Sequence, residues 1–491
     1  MPPRYIRHSW AILALIAAGC SVGPNFIRPP APAVNGYTHA SLPAETSTTA
    51  DVTGGNTQHY VQNLDIPGQW WTLFHSEPLN ALINEALKNN ADLKTAQAGL
   101  KQAQENFYAQ EGAYFPQIAA NFTSSRYKNA VQPSPTLATY VPYFNLFTPQ
   151  VSISYLLDIW GLNRRQAESL QAVADAERFQ VEATYLTLTS NLVAAVVQEA
   201  SLRDQIAANE EIIRVETEAQ GIVQKQLDLG QIAGADLAAQ KAVLAQAQAQ
   251  LPPLRKQLAI QRDLLTALIG RYPSQEPAAE FDLASLTLPK ELPVSLPAKL
   301  VEQRPDIRSA EAQLHAASAQ VGVAIANMLP QISLTGNIGS TAISANELFQ
   351  SGNGFWQISG SLTQPIFEGG ALYHKTLAAR AAFDQAASQY QSTVIQAFQN
   401  VADALRALQH DADTLKAQSA AEQAALESFS IARKQLTLGS IGYIGLLNAE
   451  QIYQQAVINR VQAQASRYAD TAALFQALGG GWWNRTDSAP S

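Results

Sequence analysis

Residues 225–230 read Lys-Gln-Leu-Asp-Leu-Gly, and residues 434–439 read Lys-Gln-Leu-Thr-Leu-Gly. A second motif is also repeated, since residues 115–118 read Phe-Pro-Gln-Ile and residues 329–332 read Leu-Pro-Gln-Ile. The two motifs occur in the same order in both halves of the chain. A long internal repeat means that one structural unit occurs twice. The chain is therefore predicted to fold as two similar halves.

Apolar residues at alternating spacings of four and three lead up to residues 225–230 in the first half and to residues 434–439 in the second. They are Val181, Tyr185, Leu188, Leu192, Ala195, Leu202, Ile206 and Ile213 in the first half, and Val394, Phe398, Val401, Leu405, Leu408, Ala412, Leu415, Leu426, Phe429 and Leu436 in the second. Only Glu199 and Asn209 break the first series. Such a seam predicts coiled-coil packing between helices. The first helix, predicted from Asn163 to Leu229, would be roughly 100 Å long.

Residues 225–230 and 434–439 each end in a glycine, Gly230 or Gly439, with a small residue shortly after it, Ala233 or Gly442. Glycine accepts the left-handed conformation that closes many helices. The pattern predicts a tight turn and a returning helix in both halves. Pro252-Pro253 predicts a local kink in the first returning helix.

The first twenty residues have the features of a secretory signal. Arg4 and Arg7 precede an apolar stretch at 10–18, which is too short to span a membrane. Small residues then lead to Cys20, an arrangement that resembles a bacterial lipobox, with Ala17 where leucine is usual. Lipid attachment at Cys20 is predicted, and cleavage that leaves a free thiol is the alternative.

Four further segments alternate apolar with small polar residues. Their apolar positions are Ile118, Ala120, Phe122, Val151, Ile153, Tyr155, Leu157, Ile332, Leu334, Ile338, Ile358 and Leu362. A half-buried soluble sheet shows the same alternation, but together with the signal and the repeat it favours transmembrane β-strands. Four strands are too few to close a barrel, and open edges are not tolerated in lipid. More than one chain must therefore contribute strands.

Composition and motifs argue against several function classes. Charged residues make up 15% of the chain, the formal net charge is -8, and the basic residues are scattered, so nucleic acid is not expected as a partner. The seven histidines form no zinc-binding pattern, and no nucleotide-binding or hydrolase motif is present. No cofactor, metal or enzymatic activity is predicted.

The proline-rich segments set the predicted boundaries. These are a signal peptide at 1–19, a lipid-anchored extended tether at 20–69, a first repeat at 70–275, a proline-rich linker at 276–297, a second repeat at 298–482 and a tail at 483–491.

Several motifs together resemble the TolC-like outer-membrane efflux family, in its lipoprotein branch of OprM/NodT type. They are residues 20–26 with Arg28-Pro29, Trp70-Trp71 with Phe74, Pro78, Leu79 and Leu82, Leu229-Gly230 with Asp236 and Leu237, Leu438-Gly439 with Leu446, Leu447 and Ala449, and residues 478–482. The likeness runs from Cys20 to about Trp482.

This resemblance implies a mainly α-helical fold with a small transmembrane β part. It implies a homotrimer in which twelve strands, four from each chain, form one barrel that continues into a coiled-coil helical tunnel in the periplasm. The implied function is the outer-membrane channel of a tripartite efflux system that exports small toxic compounds. Its implied partners are outer-membrane lipid, a periplasmic adaptor (membrane fusion) protein and an inner-membrane pump.

The resemblance also implies roles for particular residues. The periplasmic tips that dock the adaptor would contain Leu229, Gly230, Ala233, Asp236, Leu438, Gly439, Leu446 and Leu447. Arg433 and Lys434 stand where relatives often carry acidic residues in the lumen, so they are candidate gate residues. The alternative is that both are solvated surface residues.

Two other functions stay open at this point. The same architecture could serve as the exit duct of a protein-secretion system, although the lipoprotein-type start disfavours it. A coiled-coil periplasmic scaffold lipoprotein without a pore is the second alternative, and it would not need the four alternating strands.

Overall fold

The computed structural model describes residues 21–39, 42–128 and 143–485 of the chain. The signal segment 1–19, Cys20 and the last residues of the tail, 486–491, lie outside the described residues.

The element order is the same in both halves. In chain order the elements are β1 (His59–Gln62), α1 (Glu77–Asn89), α2 (Ala91–Glu111), β2 (Gln117–Lys128), β3 (Tyr143–Leu157), α3 (Leu162–Asp228), α4 (Gly234–Leu268), β4 (Glu291–Val294), α5 (Pro297–Gln303), α6 (Pro305–Ala326), β5 (Gln331–Ser340), β6 (Gly354–Thr363), α7 (Ala371–Thr437) and α8 (Tyr443–Ala477). Helices α3 and α7 have 67 residues each, and α4 and α8 have 35 each. The twofold repeat is confirmed.

Among the described residues, no helix contains an apolar stretch long enough to cross a membrane.

Helix α4 continues through Pro252 and Pro253, so the kink predicted there does not end the returning helix.

The chain divides into two compact units, and each takes segments from both halves. One unit comprises the described part of residues 1–28, Gly99–Glu177 and Ala310–Tyr390. The other comprises Pro29–Ala98, Arg178–Ser309 and the described part of residues 391–491.

A four-stranded antiparallel sheet in the first unit has the order β2-β3-β5-β6. Its register aligns the alternating residues of all four strands. One cross-strand row contains Ile118, Ile153, Gly336 and Ile358, and the row beside it contains Ala119, Ser152, Asn337 and Gln357. Because successive residues of a strand point to opposite faces, one face is apolar and the other is polar.

The two faces of this sheet differ in their chemistry as well as in their composition. On the polar face, hydroxyl pairs bridge neighbouring strands, as between Thr335 and Ser359 at 2.7 Å. On the apolar face, Ile118 is 70% exposed and Ile358 is 78% exposed. No described residue of the chain covers these side chains, so the sheet presents a broad apolar surface.

The predicted seam contributes many residues to the core of the second unit. Buried seam residues are Val181, Tyr185, Leu188, Leu192 and Leu202 on α3, and Val394, Val401, Leu405, Leu408 and Leu415 on α7. Glu199, which interrupts the first seam, is buried, and its Oε1 accepts hydrogen bonds from Arg203 at 2.9 Å and Arg262 at 2.7 Å. A buried carboxylate needs such partners. Towards the turn the seam is open, with Leu426 47% exposed.

The segments predicted as tether and linker contain a small parallel sheet that the sequence did not reveal. Strand β1 pairs with β4, in the register His59 to Glu291 through Gln62 to Val294. The buried side chain of Gln58 donates to the carbonyl of Pro289 at 2.9 Å. These contacts join the chain ahead of the first repeat to the chain between the repeats.

Arg467 of α8 holds the chain ahead of β1. Its guanidinium is buried and donates to the carbonyl of Gly54 at 2.7 Å, the carbonyl of Asn56 at 2.7 Å and the hydroxyl of Thr46 at 2.9 Å. Burial lowers the pKa of Arg467 from its ordinary value. These hydrogen bonds satisfy backbone groups of a segment that has little regular structure of its own.

Candidate functional site

The turn between α3 and α4 is closed by a paired hydrogen-bond motif. Gln231 N donates to the carbonyl of Gln226 at 2.9 Å, and Gly230 N donates to that of Leu227 at 2.8 Å. Gly230 has a φ of 69°. This is the Schellman arrangement, in which a left-handed residue satisfies the last carbonyls of a helix.

The turn between α7 and α8 repeats this geometry. Ser440 N donates to the carbonyl of Gln435 at 2.9 Å, and Gly439 N donates to that of Leu436 at 3.0 Å, with φ of Gly439 at 70°. A Cβ added at Gly230 or at Gly439 would have no atom within 4 Å. The backbone angle alone therefore calls for glycine at both turns.

Helices α4 and α8 begin directly after these turns. Ala233 is the N-cap residue of α4, and its N–H donates to Oδ2 of Asp236 at 3.2 Å. A carboxylate in the first turn also interacts favourably with the positive end of the helix dipole. Gly442 is the N-cap residue of α8, where no such side chain follows.

The four leucines predicted at the tips occupy two kinds of environment. Leu229 is 72% exposed and Leu438 is 82% exposed, each directly before its turn glycine. Leu446 is half-buried and Leu447 is buried against neighbouring helices. The structure thus leaves a leucine exposed directly before each turn glycine, with Ile444 also 64% exposed at the second tip, and it buries Leu447.

Arg433 and Lys434, the candidate gate residues, lie near the end of α7 and are exposed. The charge of Arg433 acts on Glu450 of α8 and lowers the pKa of that carboxyl, against larger effects that raise it. A constriction of the lumen would involve several chains, so the gate role of these residues stays a prediction.

Cys20, the predicted lipid site, lies outside the described residues, but the chain directly after it is firmly held. Val22 N donates to the carbonyl of Trp160 at 3.0 Å. The buried Arg165 donates to the carbonyl of Val22 at 3.1 Å and to Oδ1 of Asn25 at 2.7 Å. The start of the predicted tether is therefore bound to the beginning of α3.

A largely buried polar cluster close to the tips was not predicted from the sequence. It is formed by Glu216 on α3, Gln240 on α4 and Tyr443, Glu450 and Gln454 on α8. The sequence does contain one indication of this cluster. The charged residue Glu216 occupies the seam position that follows Ile213, where an apolar residue is expected. No group of three or more His, Cys, Asp or Glu residues that could hold a metal ion occurs within the part of the chain described.

Comparison with known proteins gives consistent matches over nearly the whole chain. The family model described as outer membrane efflux protein matches residues 82–271 and 296–480. The probable efflux pump outer membrane protein TtgC of Pseudomonas putida is 27% identical over 98% of this chain and 96% of its own length. The cation efflux system protein CusC of Escherichia coli is 28% identical over 96% of this chain and 97% of its own length.

A solved structure shows the same fold. The Campylobacter jejuni CmeC outer membrane channel superposes with a TM-score of 0.82 at 26% sequence identity, and the match covers 96% of this chain and 97% of that one.

Proposed function

This chain belongs to the outer membrane efflux protein family, and we propose that it is the outer-membrane channel of a tripartite efflux system that exports small toxic compounds from the periplasm. It is a homotrimer in the outer membrane with a long helical part in the periplasm.

The observation that carries this proposal is the four-stranded sheet. Its apolar face is exposed, and its outer strands β2 and β6 have no further partner within the sheet. Unpaired strand edges are not tolerated in lipid, whereas a closed barrel has none. Three chains supply twelve strands, and the polar face then lines a wet lumen. A scaffold without a pore would not need this sheet.

The helices of the three chains form the periplasmic tunnel. Apolar seam residues that remain open in one chain, such as Leu426, then face neighbouring chains. A seam of this kind gains stability only when a second helix covers it.

The two tips dock a periplasmic adaptor protein, which connects the channel to an inner-membrane pump. Exposed leucines suit this role, because burial of an exposed apolar side chain against a partner is favourable. Leu229 and Leu438 are the anchors of this proposed interface, with Gly230, Gly439, Ala233 and Asp236 fixing the shape of the tips. Leu446 and Leu447 support them from within the helical packing.

Two further roles belong to the same proposal. Cys20 carries the lipid, and Arg433 with Lys434 lines the resting constriction. The family is one of channel proteins, and we propose that this chain has no catalytic activity of its own.

Placing a charge on both tips tests the docking role. The double substitution Leu229→Asp with Leu438→Asp removes two apolar anchors and leaves a carboxylate to be desolvated in each interface, which costs several kcal/mol without a partner. We expect adaptor binding to weaken by about 100-fold or more and export of toxic compounds to fail, while trimers still reach the outer membrane. Adaptor affinity and drug susceptibility are the measurements.

The matched control adds the same charges at the neighbouring exposed polar positions, Gln231→Asp with Ser440→Asp. This variant keeps both leucines and should bind the adaptor within a fewfold of the parent. Equal loss in both variants would show that added charge rather than the leucines matters, and full binding by the leucine variant would remove them from the interface.

A further inference from the structure

A buried hydrogen-bonded cluster connects α8 to the α3–α4 hairpin a few turns from the tips. Gln240 donates through Nε2 to Oε2 of Glu216 at 2.7 Å, and Gln454 donates to Oε1 of Glu216 at 3.0 Å. The hydroxyl of Tyr443 donates to Oε1 of Gln240 at 2.6 Å. Three helices thus converge on the carboxyl group of Glu216.

A second carboxyl group completes the cluster. Glu450 of α8 is buried and is hydrogen-bonded through its side chain to Glu216, which is also buried. Two carboxylates form such a bond only when one of them holds a proton, because two ionised carboxylates offer acceptors alone. The contact between α8 and α3 at this point therefore requires a shared proton.

Few charged groups near the cluster could neutralise a second negative charge if that proton were lost. The charged and titratable groups that act on the cluster are Asp236 on α4, Arg433 on α7 and Tyr443 on α8. Burial and the neighbouring Glu216 raise the pKa of Glu450 to about 7, although Arg433 acts in the opposite direction. Burial, Glu216, Glu450 and Asp236 also raise the pKa of Tyr443, so its hydroxyl stays a donor.

We propose that the proton shared by Glu216 and Glu450 fastens α8 to the α3–α4 hairpin, and that its loss at higher pH releases α8 beneath the tip at Gly439. Two negative charges would then face one another in a buried site, and separating the helices relieves this repulsion at the expense of the hydrogen bonds from Gln454 and Tyr443. The proposal rests on the proposed function, because it makes the channel's periplasmic tips sensitive to pH.

The direction of the pH effect follows from the two protonation states. When α8 is released, Glu450 meets water and has the ordinary glutamate pKa of about 4.3. The fastened state holds its proton up to a pH near 7. Fastening is thus complete below about pH 4 and is lost as the pH rises through 7, which lowers the ratio of fastened to released α8 by roughly tenfold between pH 6 and pH 8.

Spin labels on the purified trimer measure this ratio. Gln246 of α4 and Gln451 of α8 are exposed and hydrogen-bonded to each other at 3.3 Å, so nitroxide labels at Gln246→Cys and Gln451→Cys are dipolar-broadened while the helices stay together. Cys20 is the only native cysteine, and a sample without the two introduced cysteines is the blank. We expect broadening at pH 6 and its loss by pH 8.

Glu450→Gln is the decisive variant. An amide N–H donates to Glu216 without a proton that can be lost, so broadening should persist from pH 5 to pH 9. Glu216→Gln likewise leaves only one titratable carboxyl in the pair and serves if the first variant assembles poorly, although its amide group replaces one of the two oxygens that accept from Gln240 and Gln454. The proposal is overturned if the parent shows no change over this range, or if Glu450→Gln keeps the parent's pH midpoint.

Conductance of the same samples separates this inference from the proposed function. If broadening depends on pH in the parent but not in Glu450→Gln, and the protein never conducts, the result would support the fastening and contradict the channel. Conductance together with broadening that ignores pH would leave the channel standing and overturn the fastening.

Discussion

Replacing Ile358 by lysine is expected to abolish stable trimers in the outer membrane. Ile358 is 78% exposed on the apolar face of β6, in a row with Ile118 and Ile153. Lysine at a lipid-facing position costs about 2–4 kcal/mol near the middle of the bilayer, and the cost recurs in all three chains. The measurement is the amount of heat-resistant trimer in outer-membrane fractions.

Gln357→Lys is the control for this experiment. Gln357 is the preceding residue, is also exposed, and lies on the opposite face of the strand beside Asn337. A lysine there should point into the wet lumen and leave assembly close to that of the parent. If both lysines were tolerated, or if Gln357→Lys were the damaging one, the assignment of the two faces would be wrong.

Arg467→Met is expected to detach the chain ahead of β1 and to lower the thermal stability of the trimer strongly. The substitution removes three hydrogen bonds from a buried guanidinium and leaves the carbonyls of Gly54 and Asn56 without these partners. Hydrogen bonds to charged groups contribute about 1.5–3 kcal/mol each, so a loss of several kcal/mol follows. Thermal unfolding and limited proteolysis of residues 42–58 measure it.

An exposed arginine gives the matched comparison. Arg255 pairs at the surface with Glu210, with 61% of its side chain exposed. Surface ion pairs contribute about 1 kcal/mol or less, so Arg255→Met should leave both the melting temperature and the protease pattern nearly unchanged. Equal behaviour of the two variants would mean that Arg467 does not hold this segment.

The sequence predicted the first long helix almost to the residue. The first was expected from Asn163 to Leu229 and runs from Leu162 to Asp228. A seam sustained over so many turns leaves few alternatives, and the glycine that must adopt a left-handed angle marks the end of the helix. The four strands were found for a similar reason, because alternation identifies a strand and its two faces. The length of β3 was missed, since it begins at Tyr143, well before the alternating residues that start at Val151.

Contacts between distant segments were not predictable in this way. Strands β1 and β4 have four residues each, and β4 contains Pro293, so neither has a pattern that indicates pairing. The cluster around Glu216 depends on side chains from three helices whose rotation is set by packing. The sequence marks Glu216 as an anomaly in the seam, but it does not identify Glu450 as the partner.

The structure of the tips was predictable only in part. The repeated glycines predicted both turns, and the structure has the same capping geometry at each. Which leucines remain exposed was not predictable, because Leu447 differs from Leu229 only in how neighbouring helices cover it.

The measurement that tests the channel most directly is single-channel conductance of the purified protein in planar bilayers, with the mass of the assembly determined on the same sample. It should be recorded at pH 6 and pH 8, and again with both turns weakened by Gly230→Val and Gly439→Val, since valine resists the left-handed angle. We expect particles of three chains that give discrete pores. An elongated oligomer that inserts into no bilayer and conducts under none of these conditions would contradict the account.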